Sequence, residues 1–221
     1  MLTNRIDAVI FDMDGILIDS EPVWQLAEYE VLAGLGLPIK PEDIHDTVGL
    51  RIDMVVDYWY RRFPWDNYDN GAVAKQIVDG VVAHILAEGV PMKGVIEALD
   101  YCKQQGLKIG LATSSSWAII DAVLDTLKIR DYFDAMESAE HLAFGKPHPE
   151  VYLNCAAKLG IAARHCLAVE DSFNGLIAAR AATMQTLAIP PAHEQQQARW
   201  AIAHVKASDL TVLPTLLAAQ D

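Results

Sequence analysis

The sequence predicts an α/β protein, a doubly wound parallel sheet (Rossmann-like) with a small α-helical insertion. Three observations predict it. Short apolar runs recur along the chain and stop abruptly at polar or small residues, as strands buried on both faces do. Helical patterns separate these runs. After the first run, however, a long stretch carries helical patterns and no clear strand.

The predicted strands are IDAVIF (6–11), LKIGLA (107–112), FDAM (133–136), CLAVE (166–170) and MQTLAI (184–189). The segment 94–105 places Val95, Leu99 and Cys102 on one helical face and stops at Gly106, a C-terminal signal. Residues 117–128 and 149–159 read likewise. Strands alternating with helices imply right-handed βαβ crossovers. The insertion, from about 20 to 88, opens on Ser20-Glu21-Pro22, with proline at an early helical position. Helical patterns follow at 22–35, 51–63 and 71–88, with turns near 34–41 and 64–71.

The chain has 221 residues, of which 52% are hydrophobic, so it can bury a sizeable core and is not disordered. Its formal charge of -13 excludes a general nucleic-acid partner, which would need a basic face. It also means that an anionic substrate requires a local positive site set against the field of the whole protein. Cys102, Cys155 and Cys166 form no CxxC pair and are odd in number, which fits reduced thiols and not a disulfide framework or a zinc site. Asp7 and Asp12 interrupt the first apolar run, so no signal peptide is expected, and no run is long enough for a membrane span. A cytoplasmic location is the expectation.

Chemistry gathers at the strand ends. The first strand runs into Phe11-Asp12-Met13-Asp14-Gly15. In open α/β sheets ligands bind at the carboxyl ends of strands. Extended backbone puts Asp12 and Asp14 on one side, and Gly15 lets the chain turn at once. Two carboxylates this close repel, which invites a bound cation; the plain alternative is a solvated turn. The second strand ends in Thr113-Ser114-Ser115-Ser116, a hydroxyl run ahead of a helix N-terminus. It suits an oxyanion, or only a helix cap made by Ser115 or Ser116. Lys146 stands between Gly145 and Pro147, either positioned or exposed. The fourth strand ends in Glu170-Asp171-Ser172. Oxygen ligands from Asp12, Asp171 and Glu170, with a backbone carbonyl, suit Mg²⁺.

These four pieces occur in order, each after a strand. DMDG at 12–15, Thr113, Lys146 within GKPHPEVY and Glu170-Asp171 within EDSFNG together resemble the haloacid dehalogenase-like phosphatase superfamily over essentially the whole chain. DSEPVW, GLRIDMVVDYWY and KPHPEVYLNCAAKLG resemble its sugar-phosphate phosphatases, the 2-deoxyglucose-6-phosphate and hexitol phosphatase group. The resemblance implies a catalytic core at 1–19 and 89–221 and a helical cap at 20–88 that selects substrate. It implies a monomeric Mg²⁺ enzyme, with Mn²⁺ or Co²⁺ as substitutes, acting on a small phosphate ester. Asp12 is then the nucleophile and Asp14 the acid and base. Thr113 and the Ser114 amide hold phosphoryl oxygens, and Lys146 neutralises charge. The implied metal ligands are Asp12, the Asp14 carbonyl and Asp171, with Glu170 a ligand or a neighbour of one.

From the cap, Trp24, Asp46, Gly49, Leu50 and Arg51 are candidates to face the site. Arg51 is expected to meet a sugar hydroxyl or a second phosphate, or else to be a solvated helix-start arginine. Trp24 and Trp59 are expected to pack, with stacking on a sugar face as the alternative. His45, His141 and His148 read as structural or surface. The rival functions are a β-phosphoglucomutase-like isomerase, a phosphoglycolate phosphatase, a dehalogenase and a sugar-phosphate sensor. Mutases of that type carry a histidine in the cap-entry helix where this chain has Trp24, and dehalogenases lack the second aspartate.

Overall fold

The computed structural model describes Leu2, residues 4–47 and residues 50–219. Among these, six parallel strands form one sheet in the order β3-β2-β1-β4-β5-β6. They are β1 (Ala8–Phe11), β2 (Lys108–Thr113), β3 (Ala135–Ser138), β4 (Cys166–Glu170), β5 (Gln185–Ala188) and β6 (Val205–Lys206). The helices are α1 (Glu21–Gly34), α2 (Ile52–Arg62), α3 (Asn70–Glu88), α4 (Val95–Gln104), α5 (Trp117–Leu127), α6 (Glu150–Leu159), α7 (Phe173–Ala181) and α8 (Leu213–Ala218).

The five expected strands are present, within two residues of their expected limits. The two-residue β6 was not foreseen. Val205-Lys206 is too short to carry a pattern and forms a strand only because Ala188 and Leu187 lie beside it.

Both faces of the sheet are covered, which explains the continuous apolar runs. Val9, Phe11, Ile109, Leu111, Leu167 and Val169 pack into one cluster with residues of α4, α5 and α8. Ala8, Ile10, Ala112, Cys166 and Ala168 pack into another with α6 and α7. The second face uses small residues, so these helices approach closely. Cys102, Cys155 and Cys166 are all free and buried. Gly106 follows α4 with φ +68°, as its sequence position predicted.

Helices α1, α2 and α3 follow β1 and precede α4 and β2. Their buried residues, including Leu32, Val56, Trp59, Ile77 and Val81, join the first cluster. No helix among the described residues is long and apolar enough to cross a membrane.

The strand order reverses at β1, which has β2 on one side and β4 on the other. This is a topological switch point, where α/β sheets bind ligands. Phe11 is in register with both Leu111 and Val169, so the next residues, Asp12, Ala112 and Glu170, stand at one height.

Candidate active site

Asp12 continues the ladder by one residue, its N–H donating to the Val169 carbonyl at 2.9 Å. Its carboxylate is buried. Lys146, only 2% exposed, comes in from the loop after β3. Its Nζ donates to Asp12 Oδ1 at 2.8 Å, Glu170 Oε1 at 2.6 Å and the Ala112 carbonyl at 3.0 Å. It also lies 4.9 Å from the centre of the Tyr152 ring. Burial opposes the charge on Lys146, but the carboxylates of Asp12 and Glu170 outweigh it and hold the ammonium above the ordinary lysine range. Asp12 feels the reverse. Burial and then Glu170 push it up to about 7, against the pull of Lys146. Burial, Asp12 and Glu170 also raise Asp171 well above the usual carboxylate range.

Three carboxyl groups thus crowd together, and Lys146 is bonded to two of them. Ligand oxygens of Asp12, Glu170 and Asp171 lie within 4.8 Å of one another. Glu170 is fully buried and already engaged. Its Oε1 accepts from Lys146 and Tyr152, and its Oε2 from the N–H and hydroxyl of Ser172. Asp12 and Asp171 therefore have more capacity left for a metal than Glu170. Two glycines make this crowding possible. Gly15 has φ +72°, and a Cβ there would sit 2.0 Å from Asp171 Oδ2. A Cβ on Gly175 would sit 1.8 Å from Glu170 Oε1.

Asp14 is held by three donors. Ser20 Oγ at 2.5 Å and Trp24 Nε1 at 2.9 Å reach Oδ1, and Ser115 Oγ at 2.7 Å reaches Oδ2. Two of these come from the entry to α1 and one from the end of β2, so Asp14 ties insertion to sheet. Ser115 N–H donates to Thr113 Oγ1 at 3.0 Å. The hydroxyls of Ser114 and Ser116 are shielded and have no hydrogen-bond partner among the described residues. A buried hydroxyl left unpaired is costly, which is reasonable where a ligand supplies the partner. The expected capping bond from Ser115 or Ser116 is absent: Ser116 stands at the N-cap of α5 without a side-chain cap, and Ser115 bonds Asp14 instead.

One cavity is lined by Asp12, Asp14, Thr113, Ser114, Ser115, Ser116, Lys146, Asp171 and Ser172 from the sheet side. From the insertion it is lined by Glu21, Trp24, Gln25, Glu28, Ile44, Thr47, Leu50, Ile52 and Val55. Lys146 is the single cation among these residues.

A family model described as haloacid dehalogenase-like hydrolase matches residues 6–183. The chain belongs to that family. This hydrolase is 49% identical over 215 residues to hexitol phosphatase B of Escherichia coli K12, covering 95% of each chain. It is 32% identical over 190 residues to fructose-1-phosphate phosphatase YqaB of the same organism, covering 83% of this chain and 96% of the relative. Among solved structures it resembles CbbY from Rhodobacter sphaeroides in complex with phosphate, with TM-score 0.83 and 23% identity over 95% of this chain and 96% of that one. It also resembles β-phosphoglucomutase from Clostridium difficile, with TM-score 0.82 and 23% identity over 98% and 96%. At that identity the two structures speak for the fold alone.

Within this hydrolase, the expected strand-end residues Asp12, Asp14, Thr113, Ser114, Lys146 and Asp171 line one cavity, with Glu170 packed beneath it. Arg51 is a correction. It does not line the cavity; its guanidinium donates to Asp53 and to the carbonyls of Ala139 at 2.8 Å and Leu142 at 2.5 Å. A guanidinium so occupied bridges α2 to the loop ahead of Lys146. Asp46 is exposed and accepts from Tyr58 Oη at 3.0 Å. Leu50 does line the cavity, and Gly49 lies outside the described residues. Trp59 is buried and stacked near Phe63. Trp24 does more than pack, since its indole N–H holds Asp14. His45, His141 and His148 are exposed.

Sequence reasoning missed Glu21, Gln25 and Glu28, although the signal was there. With Trp24 they form a polar i, i+3, i+4, i+7 stripe on α1, and a polar stripe that turns inward must face a polar cavity. Tyr152 and Ser20 carried no such signal.

Proposed function

We propose that this hydrolase is a Mg²⁺-dependent phosphatase of small sugar and sugar-alcohol phosphates, working as a cytoplasmic monomer through a phosphoaspartate. One observation carries the reading. A carboxylate pinned by a buried lysine, a second tethered carboxylate and unpaired hydroxyls meet in one cavity whose far wall mixes polar and aliphatic side chains and carries no cation.

Asp12 attacks phosphorus, forming an O–P bond as the bond to the sugar oxygen breaks. Asp14 gives that oxygen a proton and then takes one from the water that cleaves the acyl phosphate, which releases phosphate and restores Asp12. Thr113, Ser114 and Lys146 hold and neutralise the transferring group. Asp12 and Asp171, with the Asp14 carbonyl and Glu170 as further candidates, would hold Mg²⁺, or Mn²⁺ or Co²⁺ in its place; the ion would add positive charge beside the phosphoryl oxygens. The helices between residues 20 and 88 serve as a cap over a core formed by 1–19 and 89–221.

Trp24 favours hydrolysis over isomerisation. An indole N–H donates only, so it cannot exchange a proton with Asp14. The likeness to hexitol phosphatase B supports a hexitol phosphate as substrate. The cavity wall opposes phosphoglycolate, because Glu21 and Glu28 face the place where its carboxylate would lie and no cation stands there.

The test is phosphate release in Mg²⁺ across hexose, pentose and hexitol phosphates plus phosphoglycolate, ranked by kcat/KM. Sugar and sugar-alcohol phosphates should rank first; a strong preference for phosphoglycolate overturns the substrate assignment. Isomer formation without free phosphate overturns hydrolysis. Chelation by EDTA should abolish turnover and weaken substrate binding, because the bare site has three carboxyl groups against one lysine. Equally tight binding of a hexitol phosphate in EDTA, read by calorimetry, contradicts the metal's role.

A further inference from the structure

The geometry points to Glu28 as a specificity-determining residue whose Oε1 hydrogen-bonds a hydroxyl on the neutral end of the substrate. The inference rests on the phosphatase reading above and deepens it.

Glu28 is 6% exposed yet lines the cavity. It stands on the same face of α1 as Trp24, one turn further on, about 6 Å along the helix axis. Trp24 reaches Asp14, where the leaving oxygen would be. Glu28 therefore stands beside the carbon chain beyond that oxygen. The wall around it is apolar, with Ile44, Leu50, Ile52 and Val55, which suits the C–H faces of a polyol.

Its bonding decides which atom is offered. Thr47 Oγ1 lies 2.9 Å from the Ile44 carbonyl and 3.2 Å from Glu28 Oε2. A threonine hydroxyl has one proton to give. It shares that proton between the Ile44 carbonyl and Glu28 Oε2, so Oε2 is already engaged as an acceptor. Burial pushes this carboxyl up to about 8, against the Thr47 bond, with Glu21 adding to the rise. Oε1 remains with no partner among the described residues. A hydroxyl both donates and accepts, so it pairs with Oε1 whether or not this oxygen carries a proton.

Glutamine has the same shape and keeps one polar atom toward Thr47 and one toward the cavity, where a hydroxyl can accept from N–H₂ or donate to C=O. Leucine has neither. The experiment measures kcat/KM of the full chain and of Glu28→Gln and Glu28→Leu on sorbitol 6-phosphate and on p-nitrophenyl phosphate, which has no distal hydroxyl. Glu28→Leu should lose about ten- to a hundredfold more on sorbitol 6-phosphate than on p-nitrophenyl phosphate. Glu28→Gln should stay within about threefold of the parent on sorbitol 6-phosphate. Equal losses on both substrates in Glu28→Leu would mean a packing role and overturn the proposal. So would a Glu28→Gln as impaired as Glu28→Leu. A parent protein idle on both esters overturns the phosphatase reading and this proposal together, whereas an active parent with an indifferent Glu28→Leu overturns this proposal alone.

Discussion

Replacing Asp12 with Asn should abolish phosphate release and leave the fold intact. A carboxamide is a poor nucleophile toward phosphorus, Asp171 is set aside for the metal, and the other two carboxylates are already engaged. Asp14 is tethered by Ser20, Trp24 and Ser115, and Glu170 accepts four hydrogen bonds. The loss should be at least about 10⁴-fold in kcat, the scale seen when a nucleophile is removed. Stability should move the other way or not at all. Burial and Glu170 raise Asp12 to about 7, so above that pH its ionised form costs stability. The native state binds the proton more tightly than the unfolded chain, so this contribution is full at low pH and fades as pH rises through about 7. Asn cannot ionise, so its melting temperature at alkaline pH should equal or exceed the parent's. Substantial residual turnover in a folded Asp12→Asn protein would falsify the nucleophile assignment.

Lys146→Ala should cost at least about 10³-fold in rate and should also destabilise the protein. Its ammonium is the one cation among the cavity-lining residues, and it is bonded at once to Asp12, Glu170 and the Ala112 carbonyl. Without it, two buried carboxylates face each other unscreened. Breaking a buried pair on one side costs about 3–5 kcal/mol, less whatever protonation recovers. Protonation supplies the sign. As pH falls, Asp12 takes a proton and the repulsion ends, so the deficit in melting temperature should shrink at about pH 5.5 and widen at about pH 8.5. A loss of only tenfold in kcat, with unchanged stability, would demote Lys146 to a binding residue.

Much of the fold was legible because buried parallel strands have an unambiguous signature. IDAVIF, LKIGLA and CLAVE are apolar on both faces, and the two clusters that sandwich the sheet show why. β6 was not legible because two residues have no period. The strand-end acids, the hydroxyl run and the lysine could be placed near one another, because every such segment follows a strand and parallel strands end on the same edge.

Arg51 shows where that reasoning stops. Its position at the start of α2 suggested a ligand for sugar or phosphate, but Asp53 and the backbone carbonyls of Ala139 and Leu142 together engage all three nitrogens of its guanidinium. Neither carbonyl is recognisable as a partner in a linear sequence, since 88 and 91 residues separate them from Arg51. Trp24 shows the same limit from the other side. As a sequence letter it is a large apolar residue, and only the turn of α1 over the end of β1 brings its N–H to Asp14.

The sequence by itself determined the alternation of strands and helices, the strand ends that carry chemistry and the acidic charge that a phosphate site must overcome. These are local properties, set by period, composition and chain direction. Only the tertiary structure decided which groups meet. It placed Lys146 between Asp12 and Glu170, turned Arg51 away from the cavity and brought Glu28 into it. The reason is physical. A side chain's role depends on which donors and acceptors surround it once water has been excluded, and those neighbours come from parts of the chain far apart in sequence.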